Sequence, residues 1–175
     1  MPKIIENAKE KILEVTKEEL KNHSYNDLSI REIAKKSGLG VGTIYNYYPN
    51  KVSLVAALML SEWTSSISLF NEKLEGISSL SNGLEEIHSL ISSFWLSNRV
   101  FLQSAEVKEY SSFQKRGHMM IISQIKEMII SVYRRVDKRI EEPELTLLSH
   151  LLLDSALDQD FGIEDILVFT NKLFN

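Results

Sequence analysis

Ser29-Ile30-Arg31-Glu32-Ile33-Ala34-Lys35-Lys36-Ser37-Gly38-Leu39-Gly40-Val41-Gly42-Thr43-Ile44-Tyr45-Asn46-Tyr47-Tyr48-Pro49-Asn50-Lys51 is the stretch on which the fold turns. Ser29 and Glu32 have the spacing of a capping box, in which the hydroxyl and the carboxylate each take an orphan amide at a helix start. Ile30, Ile33 and Ala34 then fall on one face of a helix. Gly38 ends it, being best able to adopt the left-handed conformation that closes a helix. The span from Leu39 to Tyr48 is too short for a free-standing helix. Pro49-Asn50 breaks it, with Asn50 placed to cap the next helix. Two short helices across a glycine-containing turn make a helix-turn-helix, whose second helix typically lies in the major groove of DNA.

A helical wheel sorts the second helix. With Ile44 facing the core, Tyr48 falls about 40° away and Gly40 lies on the same side. Gly42 and Asn46 fall about 160° away, facing outward, with Thr43 and Tyr45 flanking them. Glycine inside a helix costs about 1 kcal/mol relative to alanine. Close approach of the backbone to DNA is one compensating reason for Gly42. Tyr45 and Tyr47 carry hydroxyls that can reach phosphates, Lys51 adds a cation, and amides near 40–42 favour anions. The same residues also fit a plainer reading: three tyrosines as core and rim packing, and a turn that is only a turn.

These residues resemble the DNA-binding signature of the Tet repressor (TetR/AcrR) family. The resemblance rests on Ile33-Ala34, the turn Gly38, Gly42-Thr43-Ile44-Tyr45, the aromatic pair Tyr47-Tyr48, Asn50-Lys51 and the apolar helix start beyond, and it covers roughly the first 60 residues. It implies a homodimeric transcriptional regulator, usually a repressor released from its operator by a small ligand bound in the C-terminal domain. It further implies that Arg31 can reach a base, that Gly42 and Thr43 face the groove, and that Tyr45, Tyr47 and Lys51 contact phosphates. The candidate DNA-facing set is Ser29, Arg31, Val41, Gly42, Thr43, Tyr45, Asn46, Tyr47 and Lys51. One departure matters: the family often has serine where this chain has Gly40, which removes Gly40 as a side-chain contact.

Outward from this stretch, the composition agrees with helices. The 175 residues are 43% hydrophobic and 25% charged, which excludes a wholly disordered or fibrous chain, and 7 Gly with 3 Pro leave little for the turns of an all-β protein. With no cysteine there is no disulfide, thiolate metal site or cysteine nucleophile. The net charge of −4 hides an asymmetry: residues 1–60 carry 9 basic and 7 acidic side chains, leaving 11 and 17 for residues 61–175. A mildly basic front and an acidic rear suit a DNA-contacting head on a body that need not touch DNA, or simply two solvated surfaces. The N-terminus turns charged at once and no apolar run approaches the ~18–20 residues that span a bilayer, so a cytoplasmic protein is expected.

The periodicity predicts an all-α fold of about nine helices: roughly 3–22, 29–38, 40–48, 51–74, 84–97, 98–110, 112–139, 143–158 and 163–174, with Ser78–Gly83 as a loop. The first helix reads through Ile5, Ala8, Ile12, Leu13, Val15 and Leu20. The expected domains are a helix-turn-helix head over 1–50 and a ligand-binding and dimerisation domain over 51–175, with helix 51–74 as connector.

Beyond the head, apolar side chains at helical spacing are most simply core, though some could line a ligand cavity. Phe94, Trp95, His88, Arg99, His118 and Tyr133 are the candidates for contact with a small apolar or amphipathic effector. His150 and Asp154 share a helix face; without a third ligand they read as an ordinary polar pair, and no metal or cofactor is expected. The last two predicted helices are apolar enough to pack beyond their own chain, and the resemblance makes them a four-helix dimer interface. Leu145, Leu148, Leu152, Ile166, Phe169 and Leu173 are its candidates, the alternative being that they cap the domain's own core. No nucleophile–base arrangement or phosphate loop is present, so an enzyme is not expected. The leading expectation is a dimeric regulator that binds a double-stranded DNA operator. Its competitor is a ligand-independent architectural or cell-division factor whose rear domain binds a protein.

Overall fold

The computed structural model describes residues 7–103, 111–157 and 161–174, with the side chains of 111–116, 173 and 174 outside the description. Among these residues there are eight α-helices and no strand: α1 (Ala8–Asn22), α2 (Ile30–Ser37), α3 (Val41–Tyr47), α4 (Lys51–Lys73), α5 (Leu80–Leu102), α6 (Ser111–Arg135), α7 (Glu142–Leu157) and α8 (Ile163–Phe174). A 3₁₀ turn, Leu74–Gly76, follows α4.

The helix boundaries have local causes. The capping box expected at Ser29 does not form, since the Ser29 side chain makes no cap bond. It forms instead at the start of α4, where the Ser53 amide donates to Asn50 Oδ1 at 2.8 Å and the Asn50 amide donates to Ser53 Oγ at 3.1 Å. Gly38 closes α2 at φ 67°, and the Leu39 amide reaches back to the Ala34 carbonyl at 2.9 Å. The expected loop Ser78–Gly83 is shorter than its composition suggests. Ser79 Oγ accepts the Asn82 amide and starts α5 four residues early, carrying Gly83 into the helix. No break separates 97 from 98. Asn98 stays helical by donating to the Phe94 carbonyl at 2.9 Å. Most of the expected helix 98–110 falls outside the described residues. α6 stops at Arg135 rather than 139, because Asp137 turns left-handed (φ 54°) and the Lys138 amide bonds the Tyr133 carbonyl at 2.8 Å.

Two compact units divide the chain, the first comprising 1–64 with 100–107 and the second 65–99 with 108–175. The first thus runs past residue 50. Its core includes Ile12, Ile33, Ile44, Leu54, Val55 and Trp63, all at most 1% exposed. α1 buries Ala8, Ile12, Thr16 and Glu19, whereas the expected Leu13, Val15 and Leu20 are half-buried and Ile5 is outside the described residues. The polar members of that stripe are satisfied. Thr16 Oγ1 donates to the Ile12 carbonyl at 2.7 Å, and the Glu19 carboxylate accepts from Lys36 Nζ, tying α1 to α2.

The second unit is centred on Leu84, Ile87, Ile91, Ile125, Ile129, Val132, Leu148 and Leu152. α5 and α6 pack closely at Gly83, where an added Cβ would lie 2.3 Å from Val132 Cγ1. Lys126 Nζ joins α6 to α7 by donating to Glu142 Oε1 at 2.6 Å and Thr146 Oγ1 at 2.7 Å. Four of the expected dimer residues are buried within this unit. Leu145, Leu148, Leu152 and Ile166 are 4%, 2%, 0% and 2% exposed, so the apolar periodicity of α7 and α8 marks their inward faces. Phe169 is exposed, as are Leu147, Leu157 and Val168, while the Leu173 side chain lies outside the described residues.

Among the described residues one helical segment, Lys51–Gly76, is long and apolar enough by composition to cross a membrane, with a mean hydropathy of 1.4 in its richest window. About a third of that window is buried, and Leu54, Val55, Trp63 and Phe70 are among the segment's buried residues.

Candidate nucleic-acid interface

α3 is the shortest helix and contributes a single buried residue, Ile44, with Tyr48 buried just beyond its end. Burial pushes the Tyr48 hydroxyl above its usual range, with the charge of Glu10 adding to it. The other face is open. Val41 is 37% exposed, Tyr45 is 48% exposed, and Gly42 and Asn46 are exposed beside them. An added Cβ on Gly42 would meet nothing within 4 Å. This glycine is therefore required neither by packing nor by a left-handed backbone. Thr43 and Tyr47 are half-buried flanks, and the Tyr47 ring leans against Tyr48 at 6.5 Å. Gly40 caps α3 through its carbonyl alone, which accepts the Thr43 and Ile44 amides.

Arg31 lies exposed on the first turn of α2 and Ser29 half-buried before it. Lys51 is the first residue of α4, whose first turn carries no acidic side chain. A cation there opposes the helix dipole. It is steadied by carbonyls at the end of the turn after α1, Tyr25 O at 3.2 Å and Asn26 O at 3.4 Å, and by the Tyr25 ring, whose centroid lies 4.4 Å away. Tyr25 is buried although the residues around it, His23 to Asp27, are polar and exposed.

Residues 12–58 match the family model described as "Bacterial regulatory proteins, tetR family". The match takes in both helices of the helix-turn-helix. The HTH-type transcriptional regulator UidR of Escherichia coli (strain K12) is 28% identical over 80 residues, 46% of this chain and 41% of UidR, and UidR of Shigella flexneri matches equally. The chain thus spans about two fifths of the length of these curated relatives. A transcriptional regulator from Pseudomonas aeruginosa PAO1 superposes with a TM-score of 0.54 at 19% identity, covering 95% of this chain and 93% of that one. FadR from Bacillus subtilis, in complex with stearoyl-CoA, gives 0.54 at 15% identity, covering 94% and 96%. These two extend the likeness in fold over nearly the whole chain.

The effector candidates differ in exposure. Phe94, Trp95 and His88 are half-buried, Arg99 and His118 are exposed, and Tyr133 is buried. The groove of about 200 Å³ in the second unit is lined by other residues, among them Ser66, Leu69, Phe70 and Lys73 of α4 and Glu86 and Ser93 of α5. Lys73 Nζ meets Glu86 Oε2 there at 3.1 Å. Burial lowers the His88 pKa, opposed by a hydrogen bond to the Ser155 backbone, and its Nε2 is buried without a partner among the described residues. His150 faces His118 across α6 and α7, with ring centroids 5.8 Å apart. Among the described residues no group of three or more acidic or histidine side chains could hold a metal.

Tyr133 carries a measurable consequence. Burial, with Glu144 adding, pushes its hydroxyl from 10.0 to about 12. The raised value makes the neutral phenol a stabilising group below pH 10, and that contribution is lost as the pH rises from 10 through 12. The gap corresponds to roughly 2–3 kcal/mol. Urea denaturation at pH 9 and at pH 11.5 should show wild type losing more stability between the two than Tyr133→Phe, and parallel losses would refute the shift.

Proposed function

We propose that this protein is a homodimeric DNA-binding transcriptional regulator, a repressor acting in the cytoplasm and released from its operator by a small amphipathic effector. The observation that carries the reading is the outward face of α3, where a glycine without a packing reason sits beside exposed Val41, Tyr45 and Asn46. Gly42 lets the backbone approach the groove; Val41, Thr43 and Asn46 face base edges with Arg31; Ser29, Tyr45, Tyr47 and Lys51 hold phosphates. The domain division is the head over 1–50 and the effector and dimer domain over 51–175. The dimer surface is the exposed side of α7 and α8, through Leu147, Val168 and Phe169. Two heads so joined read half-sites about 34–36 Å apart or a related spacing.

Two features support an amphipathic effector: the stearoyl-CoA bound by FadR, which has the same fold, and the groove where Leu69 and Phe70 lie among serines and the Lys73–Glu86 pair. Release requires that the effector prefer a conformation whose heads miss the operator register.

Footprinting of the purified protein on the DNA flanking its own coding region, at stated salt, tests the reading. A protected palindrome is expected, and its absence on every flanking fragment argues for the architectural alternative or for none. On that site, Lys51→Ala should weaken binding about tenfold and flatten the salt dependence by about one unit of slope. Tyr45→Phe should weaken it severalfold with the slope unchanged, because the lost contact is neutral. An unaltered slope in Lys51→Ala removes Lys51 from the phosphate contacts.

A further inference from the structure

The chain places an aromatic residue far outside the helix-turn-helix against the ring that faces the cation which the proposed function assigns to phosphate. Phe101, in the last turn of α5 and within the first compact unit, meets the Tyr25 ring edge-on, with centroids 4.9 Å apart and planes at 64°. Both rings are buried, Tyr25 at 3% and Phe101 at 4% exposure. Tyr25 in turn presents its ring to Lys51 Nζ and its carbonyl to the same ammonium, with the Asn26 carbonyl alongside. An ammonium has three donors. Two point to these carbonyls, which leaves one for an outside acceptor.

A buried tyrosine next to a cation needs a fixed ring plane, because the attraction runs through the ring face and falls away when the ring tilts. The edge-to-face contact with Phe101 supplies that orientation. A leucine would fill much of the same space without fixing the angle. We infer that Phe101 is a positioning residue for DNA contact, setting the Tyr25 ring that holds the Lys51 ammonium at the start of α4. The inference rests on the proposed DNA-binding role for its functional consequence, but the positioning itself is measurable without DNA. Phe101 lies outside the 12–58 region matched to the tetR family.

The experiment has two arms. By NMR on the full chain, the ε-methylene protons of Lys51 should resonate upfield of ordinary lysines, because they adjoin the Nζ that lies over the Tyr25 ring. Phe101→Leu should move them part of the way back and Tyr25→Leu all the way, with helix content by circular dichroism unchanged in Phe101→Leu. An unmoved resonance in Phe101→Leu overturns the inference, whether or not Tyr25→Leu folds. In the second arm, duplexes tiling the DNA upstream of the coding region are titrated with wild type, Phe101→Leu, Lys51→Ala and the double variant. Phe101→Leu should weaken binding about three- to fivefold alone and add nothing in the Lys51→Ala background. An equal loss in both backgrounds overturns the route through Lys51. Failure of wild type to bind any duplex defeats the proposed function, while the NMR arm still decides the positioning.

Discussion

Gly42→Leu should leave the protein as stable as wild type or more so, and should abolish tight operator binding. The Cβ enters open space, the backbone is ordinary right-handed helix, and replacing a helical glycine removes a penalty of about 1 kcal/mol. The leucine then stands where the groove surface must come. Exclusion from close contact should lower affinity about 100-fold, equivalent to about 2.7 kcal/mol. Thermal unfolding and operator titration on the same samples check both halves. A stable variant with undiminished affinity ends the idea that this glycine serves an approaching duplex.

The opposite outcome is expected at Gly83. Its missing side chain faces Val132, with Cγ1 at 2.3 Å, Cγ2 at 2.7 Å and Cβ at 3.1 Å from the added atom. Valine is stiff at its first torsion and cannot swing away as a long side chain would. Gly83→Ala should therefore destabilise the protein by about 1–3 kcal/mol, despite the gain in helix propensity. Val132→Ala should restore room, so the double variant should be more stable than the sum of the single effects predicts, as read from urea midpoints. Strict additivity would mean that α5 and α6 do not touch there.

The head was legible because its decisive signals are local. Gly38 must turn left-handed, Pro49-Asn50 must break and restart the helix, and Ile44 with Tyr48 must face inward. Each depends on residues within one or two turns. What escaped the reading was set by partners distant in sequence. Glu19 looks like a surface charge until Lys36 of α2 covers it, and Tyr25 looks like loop material until Phe101 and Lys51 close on it. The leucines of α7 and α8 show the converse. Their spacing marks a buried face, but periodicity cannot tell whether the surface that buries it belongs to the same chain. The groove beside α4 and α5 is likewise lined by residues other than the effector candidates, since nothing in a helical pattern says which half-buried side chains share an opening.

The sparse anchoring of α3 also bears on evolvability. With Ile44 as its only interior residue, this seven-residue rod can exchange nearly all its outward letters without disturbing the scaffold. On the proposed function, retargeting to a new operator then needs no compensating repair elsewhere, so duplicated copies would acquire distinct regulons through a few surface substitutions.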